Sequence, residues 1–97
     1  MKLFKVMRID QIGWDEFDSF VCVANSELNA RRMHPRGNKC YVWDDINNAW
    51  HSVIFGKNEL EYHSWTCNID RLNVELIGNP SNTHEKEFVV LASFNAG

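Results

Sequence analysis

The sequence predicts an α+β domain, in which a mainly antiparallel sheet of five to seven short strands packs with one short helix in the order β-β-α-β-β-β-β. Three observations predict this class. Several short segments alternate apolar and polar residues and are separated by turn-forming residues. One segment carries helix-capping signals at both ends. The 97 residues, with six Phe, four Trp and two Tyr, suffice for a single domain, 1–97, with one hydrophobic core.

The first two strands are expected to form a hairpin. Residues 2–9 alternate basic and apolar side chains, which predicts a strand with Phe4 and Val6 on one face. Its lysines favour a position at the edge of the sheet. Residues 10–16 contain a glycine and three acids and fit the hairpin loop. Residues 17–24 then form the second strand, whose continuous apolar second half predicts deep burial.

A short helix is predicted over residues 27–33. Asn25 or Ser26 supplies the N-cap oxygen, and Pro35 ends the helix because proline cannot continue it. A helix of about two turns does not persist alone, so contacts with the rest of the fold must hold it. Leu28 is its expected main apolar anchor.

The middle of the chain predicts a second hairpin. Residues 40–43 and 49–55 are rich in β-branched and aromatic side chains, and residues 44–48 between them are turn-forming. This hairpin would bring Trp43 close to Trp50.

The C-terminal third predicts two further strands. Residues 56–61 read as a loop, and residues 62–71 fit either an irregular crossover or a short strand. Residues 72–78 alternate and form a strand. Residues 86–94 form the most apolar strand, which we expect at the centre of the sheet.

Composition and charge indicate in which cellular compartment the protein is expected. The N-terminal residues lack the apolar region of a signal peptide, and no apolar run approaches the length of a membrane span. Three widely spaced cysteines do not form a disulfide framework and are expected as reduced thiols. The net charge of −3 disfavours direct nucleic-acid binding. These features predict a cytoplasmic protein.

Catalytic and metal-binding motifs are missing from the sequence. His63 and Cys67 form only one loose pair, whereas structural zinc usually draws its four ligands from two close pairs. No signature of a nucleophilic enzyme and no glycine-rich phosphate loop occurs. Adjacent carboxylates lie in predicted loops, where solvated turn residues are the simpler interpretation. We therefore expect no catalytic residues, no metal and no cofactor.

The strongest local charge is basic. Arg31, Arg32, Arg36 and Lys39 place four cations in nine residues with no acid among them. Arginine can hold phosphate or carboxylate with two parallel hydrogen bonds, so the cluster is a candidate ligand site. Cations at the C-terminal end of a helix also interact favourably with the helix dipole. This interaction explains Arg31 and Arg32 but leaves Arg36 and Lys39 unexplained.

An aromatic residue among acids marks a second candidate site. Trp14 is followed by Asp15, Glu16 and Asp18 in the predicted hairpin loop and the strand after it. Exposed tryptophan is enriched at interface hot spots. This segment could therefore bind a basic partner surface. At least two of the four tryptophans are instead expected in the core.

Three stretches of the chain resemble a family of small, uncharacterised bacteriophage and prophage proteins. They are GWDEFDSFVCVANSELNARRMHP, SWT followed by VELIG, and the ending VVLASFNAG. The family pattern has tyrosine where this chain has Trp14 and Phe17. The resemblance implies a phage accessory protein, and such proteins often inhibit host defence or modify host enzymes.

The sequence therefore favours binding over catalysis. The leading hypothesis is a non-enzymatic phage accessory protein that binds and inhibits a host protein, such as a CRISPR effector, with its acidic loops in a nucleic-acid-binding groove. The alternative is a sponge for a phosphate-bearing small molecule, held by the cations at 31–39 and by a tryptophan stacked on a base. An exposed strand edge could also pair two copies into a homodimer.

Overall fold

The computed structural model describes residues 1–10, 16–59, 65–80 and 86–95, and this part of the chain forms seven strands and one short α-helix. The elements are β1 (Lys2–Arg8), β2 (Glu16–Ala24), α1 (Glu27–Arg31), β3 (Tyr41–Asp44), β4 (Ala49–Ser52), β5 (Lys57–Glu59), β6 (Leu72–Gly78) and β7 (Phe88–Asn95), with a 3₁₀ turn at Ile69–Arg71. All strand pairs are antiparallel, in a four-stranded sheet ordered β6-β1-β2-β7 and a three-stranded sheet ordered β3-β4-β5. The α+β prediction is confirmed.

Part of the hydrophobic core lies on the inner face of the larger sheet. Phe4 and Val6 lie opposite Cys22 and Phe20 in the β1–β2 register, and all four side chains are buried. Trp65 packs edge-on against Phe20, with 5.4 Å between ring centroids. The predicted alternation in β1 and the predicted burial at the end of β2 are both confirmed.

The helix is shorter than predicted and uses a different anchor. Ser26 caps it by accepting a hydrogen bond from the backbone N–H of Asn29. Ala30 is the buried residue of the helix, and Met33, two residues after the helix ends, is buried as well. Leu28 is 53% exposed, because two residues of helix turn it away from the face of Ala30. Its prediction as the main anchor is wrong.

Strand positions in the larger sheet differ from the predicted ones. Strand β1 lies between β2 and β6 rather than at an edge. Its Lys5 is accommodated there because it points to the outer face, opposite Glu75 of β6. Strand β7, expected at the centre, is an edge strand. An apolar run reports how well a strand packs on one face, and it does not fix the order of strands.

The second hairpin forms as predicted at its start and differs at its end. Trp43 and Trp50 are paired in register and make an edge-on contact at 5.0 Å. Strand β4 ends at Ser52, three residues before the predicted end, because the backbone reverses at Gly56, where φ is +67°. The chain then returns as β5, in residues predicted as a loop.

Trp50 joins the smaller sheet to the rest of the fold. Its ring is buried, and its indole N–H donates a hydrogen bond to the carbonyl of Thr66 at 2.8 Å. Trp65, which belongs to the same segment as Thr66, packs on the larger sheet through Phe20. Trp50 therefore connects β4 to the larger sheet through the segment that carries these two residues.

Because of this connection, we expect Trp50→Phe and Trp65→Phe to lower the free energy of unfolding by different amounts. Trp50→Phe removes the bond to the Thr66 carbonyl and leaves a buried acceptor unpaired. Trp65→Phe removes the same amount of ring, but no acceptor among the described residues bonds its indole nitrogen. We expect Trp50→Phe to cost about 1–3 kcal/mol more in free energy of unfolding, measured by urea denaturation. Equal costs for the two variants would show that the bond contributes little.

Candidate binding surfaces

Part of the acidic segment that was predicted to bind a partner forms contacts within the protein instead. The Glu16 carboxylate is buried and lies 3.4 Å from a guanidinium nitrogen of Arg8. Arg8 also forms two hydrogen bonds to Asp10, at 2.8 and 2.9 Å, which lower the pKa of that carboxyl. Asp18 is half-buried and accepts a hydrogen bond from the Ser19 hydroxyl.

In the predicted acidic site, Glu16 therefore forms an ion pair with the buried Arg8. Removing one partner of such a pair leaves a buried charge, so Glu16 serves the stability of the β1–β2 pair. Asp18 occupies a bulge, where β2 has one more residue than β7. Trp14 and Asp15 lie outside the described residues.

The basic cluster divides into two parts. Arg31 donates to the carbonyls of Ile69 and Leu72 at 2.9 and 2.6 Å, which ties the helix to the start of β6. Arg32 forms an ion pair with Asp45 at 3.0 Å. These two arginines therefore have partners within the fold.

Arg36 and Lys39 lie on a different surface, in the loop between α1 and β3. Gly37 has a positive φ of +88° and donates to the His34 carbonyl at 2.8 Å. Its own carbonyl accepts from the backbone N–H groups of Cys40 and Tyr41. The loop is thus closed on itself by backbone hydrogen bonds, which project both exposed cations outward.

A buried histidine supports this loop. The His34 ring stacks on Tyr41 at 4.3 Å and meets Trp50 edge-on at 5.1 Å. Its Nδ1 accepts a hydrogen bond from the backbone N–H of Arg36 at 3.0 Å. Burial, with a smaller effect of the Arg36 charge, lowers the pKa of His34 to about 3. The ring is therefore neutral at pH 7, with its proton on Nε2.

A cavity of about 860 Å³ opens beside the loop. Arg36 and Lys39 line one side, and Lys86 and Phe88 at the start of β7 line another. Glu87 also lines the cavity, but one of its carboxylate oxygens accepts from Asn25 N and Asn29 Nδ2, at 2.8 and 3.1 Å. The sequence did not indicate Lys86 or Phe88, because they lie some 50 residues from the basic cluster.

An exposed apolar turn projects from the smaller sheet. Val53, Ile54 and Phe55 are 48%, 69% and 71% exposed. The turn is nonetheless well held, because Ser52 accepts from Phe55 N through its hydroxyl and from Gly56 N through its carbonyl. This surface was not expected from the sequence, because the β-prone composition of residues 49–55 predicted a strand there.

Nucleophiles and metal ligands are not assembled within the described residues. Burial, with a smaller contribution from the Glu87 charge, raises the pKa of the Cys22 thiol to about 12, so it is protonated at neutral pH. No group of three or more His, Cys, Asp or Glu side chains in this part of the chain is placed to hold a metal ion. His63 lies outside the described residues.

Comparison with known proteins gives no relative from which a function could be carried over. No protein-family model, curated protein or solved structure matches this chain. Across the part of the chain that the structure describes, no helix has the length and apolar character needed to cross a bilayer.

The environment of His34 predicts a pH dependence of stability. The unfolded chain binds a proton at His34 below a pH of about 6.5, whereas the folded protein leaves the ring neutral down to about 3. Stability is therefore lost as the pH falls below about 6.5. At pH 5 the loss from this group is about 2 kcal/mol.

The measurement is urea denaturation at pH 7 and pH 5 for the wild type and for His34→Asn, whose amide oxygen can still accept from Arg36 N. The variant should lose less stability between these two pH values than the wild type. The carboxyls of Asp10 and Asp44, whose pKa values are lowered, titrate below this window. An identical pH dependence in both proteins would contradict the assignment.

Proposed function

We propose that this chain is a non-enzymatic phage accessory protein that binds and inhibits a host protein of an anti-phage defence system. The observation that carries the binding role is the apolar turn at Val53, Ile54 and Phe55, which is exposed and whose backbone forms two hydrogen bonds with Ser52. The phage origin and the defence target are supported by the resemblance of its N-terminal and C-terminal stretches to phage proteins.

The turn has the physical properties of an interface hot spot. Large apolar side chains are unfavourable in water, and a contiguous exposed group of them often marks a protein contact. Burying Ile54 and Phe55 against a partner would contribute about 1.5–3 kcal/mol for each side chain. Because the turn is already ordered, little conformational entropy is lost on binding.

Acidic residues supply the second part of the proposed contact. Asp15 and Asp18 are the carboxylates of the predicted acidic segment proposed for this contact, and Asp18 is half-buried and accepts a hydrogen bond from the Ser19 hydroxyl. Facing a basic nucleic-acid-binding groove, they would favour encounter and orientation more than affinity. The apolar turn would then provide most of the binding free energy.

Partner binding by the turn is tested with two variants that each replace exposed apolar side chains by serine. Ile54→Ser/Phe55→Ser removes the apolar surface of the turn, and Ile46→Ser removes a side chain that is 91% exposed on the opposite turn of the same sheet. The wild-type protein is immobilised and used to capture host proteins from a lysate. A host protein captured in stoichiometric amount is then identified, purified and titrated with each variant. We expect the double variant to bind roughly 100-fold more weakly and Ile46→Ser to bind as the wild type does.

Two results would contradict this function. Equal affinity of the wild type and the double variant would exclude the turn as the contact. Unchanged activity of the bound host protein in the reconstituted complex would exclude inhibition.

A further inference from the structure

We propose that the cavity between the α1–β3 loop and the start of β7 binds a small molecule that joins a phosphate to a flat aromatic group, which is the chemistry of a nucleotide. This site lies on a different surface from the apolar turn, and it does not depend on the proposed partner protein.

The charge of the lining favours an anion. Arg36, Lys39 and Lys86 bring three cations to one cavity, and the three side chains are exposed. Glu87 is the acid among the described lining residues, and its Oε2 already accepts two hydrogen bonds from the chain around the helix N-terminus. The described lining residues of the cavity are therefore net positive, within a protein whose net charge is −3.

The arginine is positioned before any ligand arrives. The Arg36 guanidinium carbon lies 5.3 Å from the centroid of the Phe17 ring, an arrangement that holds the planar group by a cation–π contact. The backbone N–H of Arg36 is bound to His34, which restricts the loop itself. Arginine can form two parallel hydrogen bonds to a phosphate, which makes Arg36 the lining cation best suited to bind one.

The size and the apolar lining indicate that the ligand is more than a phosphate ion. A volume of about 860 Å³ lies within the range of small-molecule sites, roughly 300–1,000 Å³. Phe88, 39% exposed, and the apolar ring of Pro35 line the same cavity as the cations. An aromatic base could pack against these groups while its phosphates meet the cations. Phe88 thus takes the stacking role that the sequence predicted for a tryptophan.

Titration calorimetry at low salt tests the site with four probes: ATP, AMP, adenosine and inorganic pyrophosphate. We expect ATP to bind most tightly, and adenosine and pyrophosphate each to bind at least about tenfold more weakly than ATP, because each lacks half of the contacts. Phe88→Ala should weaken ATP binding and leave pyrophosphate binding unchanged.

The charge requirement is tested by two double variants that remove the same charge. Arg36→Ala/Lys39→Ala should weaken ATP binding at least about tenfold. Arg32→Ala/Lys57→Ala removes two cations that do not line the cavity and should bind ATP as the wild type does. Circular dichroism verifies that each variant is folded.

Three outcomes would overturn the inference. The first is no binding of any probe at about 1 mM, the weakest affinity that the site could usefully have. The second is an equal loss of ATP binding in both double variants, which would show attraction to general surface charge. The third is pyrophosphate binding as tightly as ATP, which would exclude the aromatic half of the ligand. None of these bears on the variants of the apolar turn, so the two proposals fail separately.

Discussion

The buried indole of Trp50 is the contact on which the arrangement of this small fold depends. Within the described residues the smaller sheet consists of three strands of three or four residues each, so packing against the rest of the fold adds to its stability. Trp50 gives it a fixed place, because its ring contacts Trp43 and His34 and its N–H is bound to the Thr66 carbonyl. A hydrogen bond at the end of a large apolar ring fixes direction as well as burial.

Both candidate surfaces depend on this arrangement. His34 packs against Trp50 and holds Arg36 N, so the position of the cavity loop follows from that of the smaller sheet. The apolar turn is tied to the same loop, because Val53 N donates to the Cys40 carbonyl at 2.9 Å. A short loop thus connects a charged cavity with an exposed apolar turn, and both are pre-organised by one buried aromatic cluster.

Local structure could be predicted from the sequence, and long-range arrangement could not. Alternation identified the buried face of β1, and capping residues located the start of the helix at Asn25 or Ser26, of which Ser26 is the cap. The order of strands depends on contacts between distant segments, so β1 and β7 were placed wrongly. For the same reason the basic cluster looked continuous along the chain, although Arg31 and Arg32 lie at the helix end and Arg36 lines the cavity with the distant Lys86. The turn at residue 53 was missed because an apolar, β-prone triplet has the composition of a buried strand.

Hydrogen exchange followed by NMR would test most directly whether one aromatic anchor pre-organises both surfaces. The informative protons are the Trp50 indole N–H and the Val53 amide, each donated to a backbone carbonyl in the folded protein. The account predicts that both exchange only through the cooperative unfolding that also exposes the core of β2. Rapid exchange of the Val53 amide, while the Trp50 indole and the β2 core stay protected, would contradict it, since the turn would then open independently of the fold.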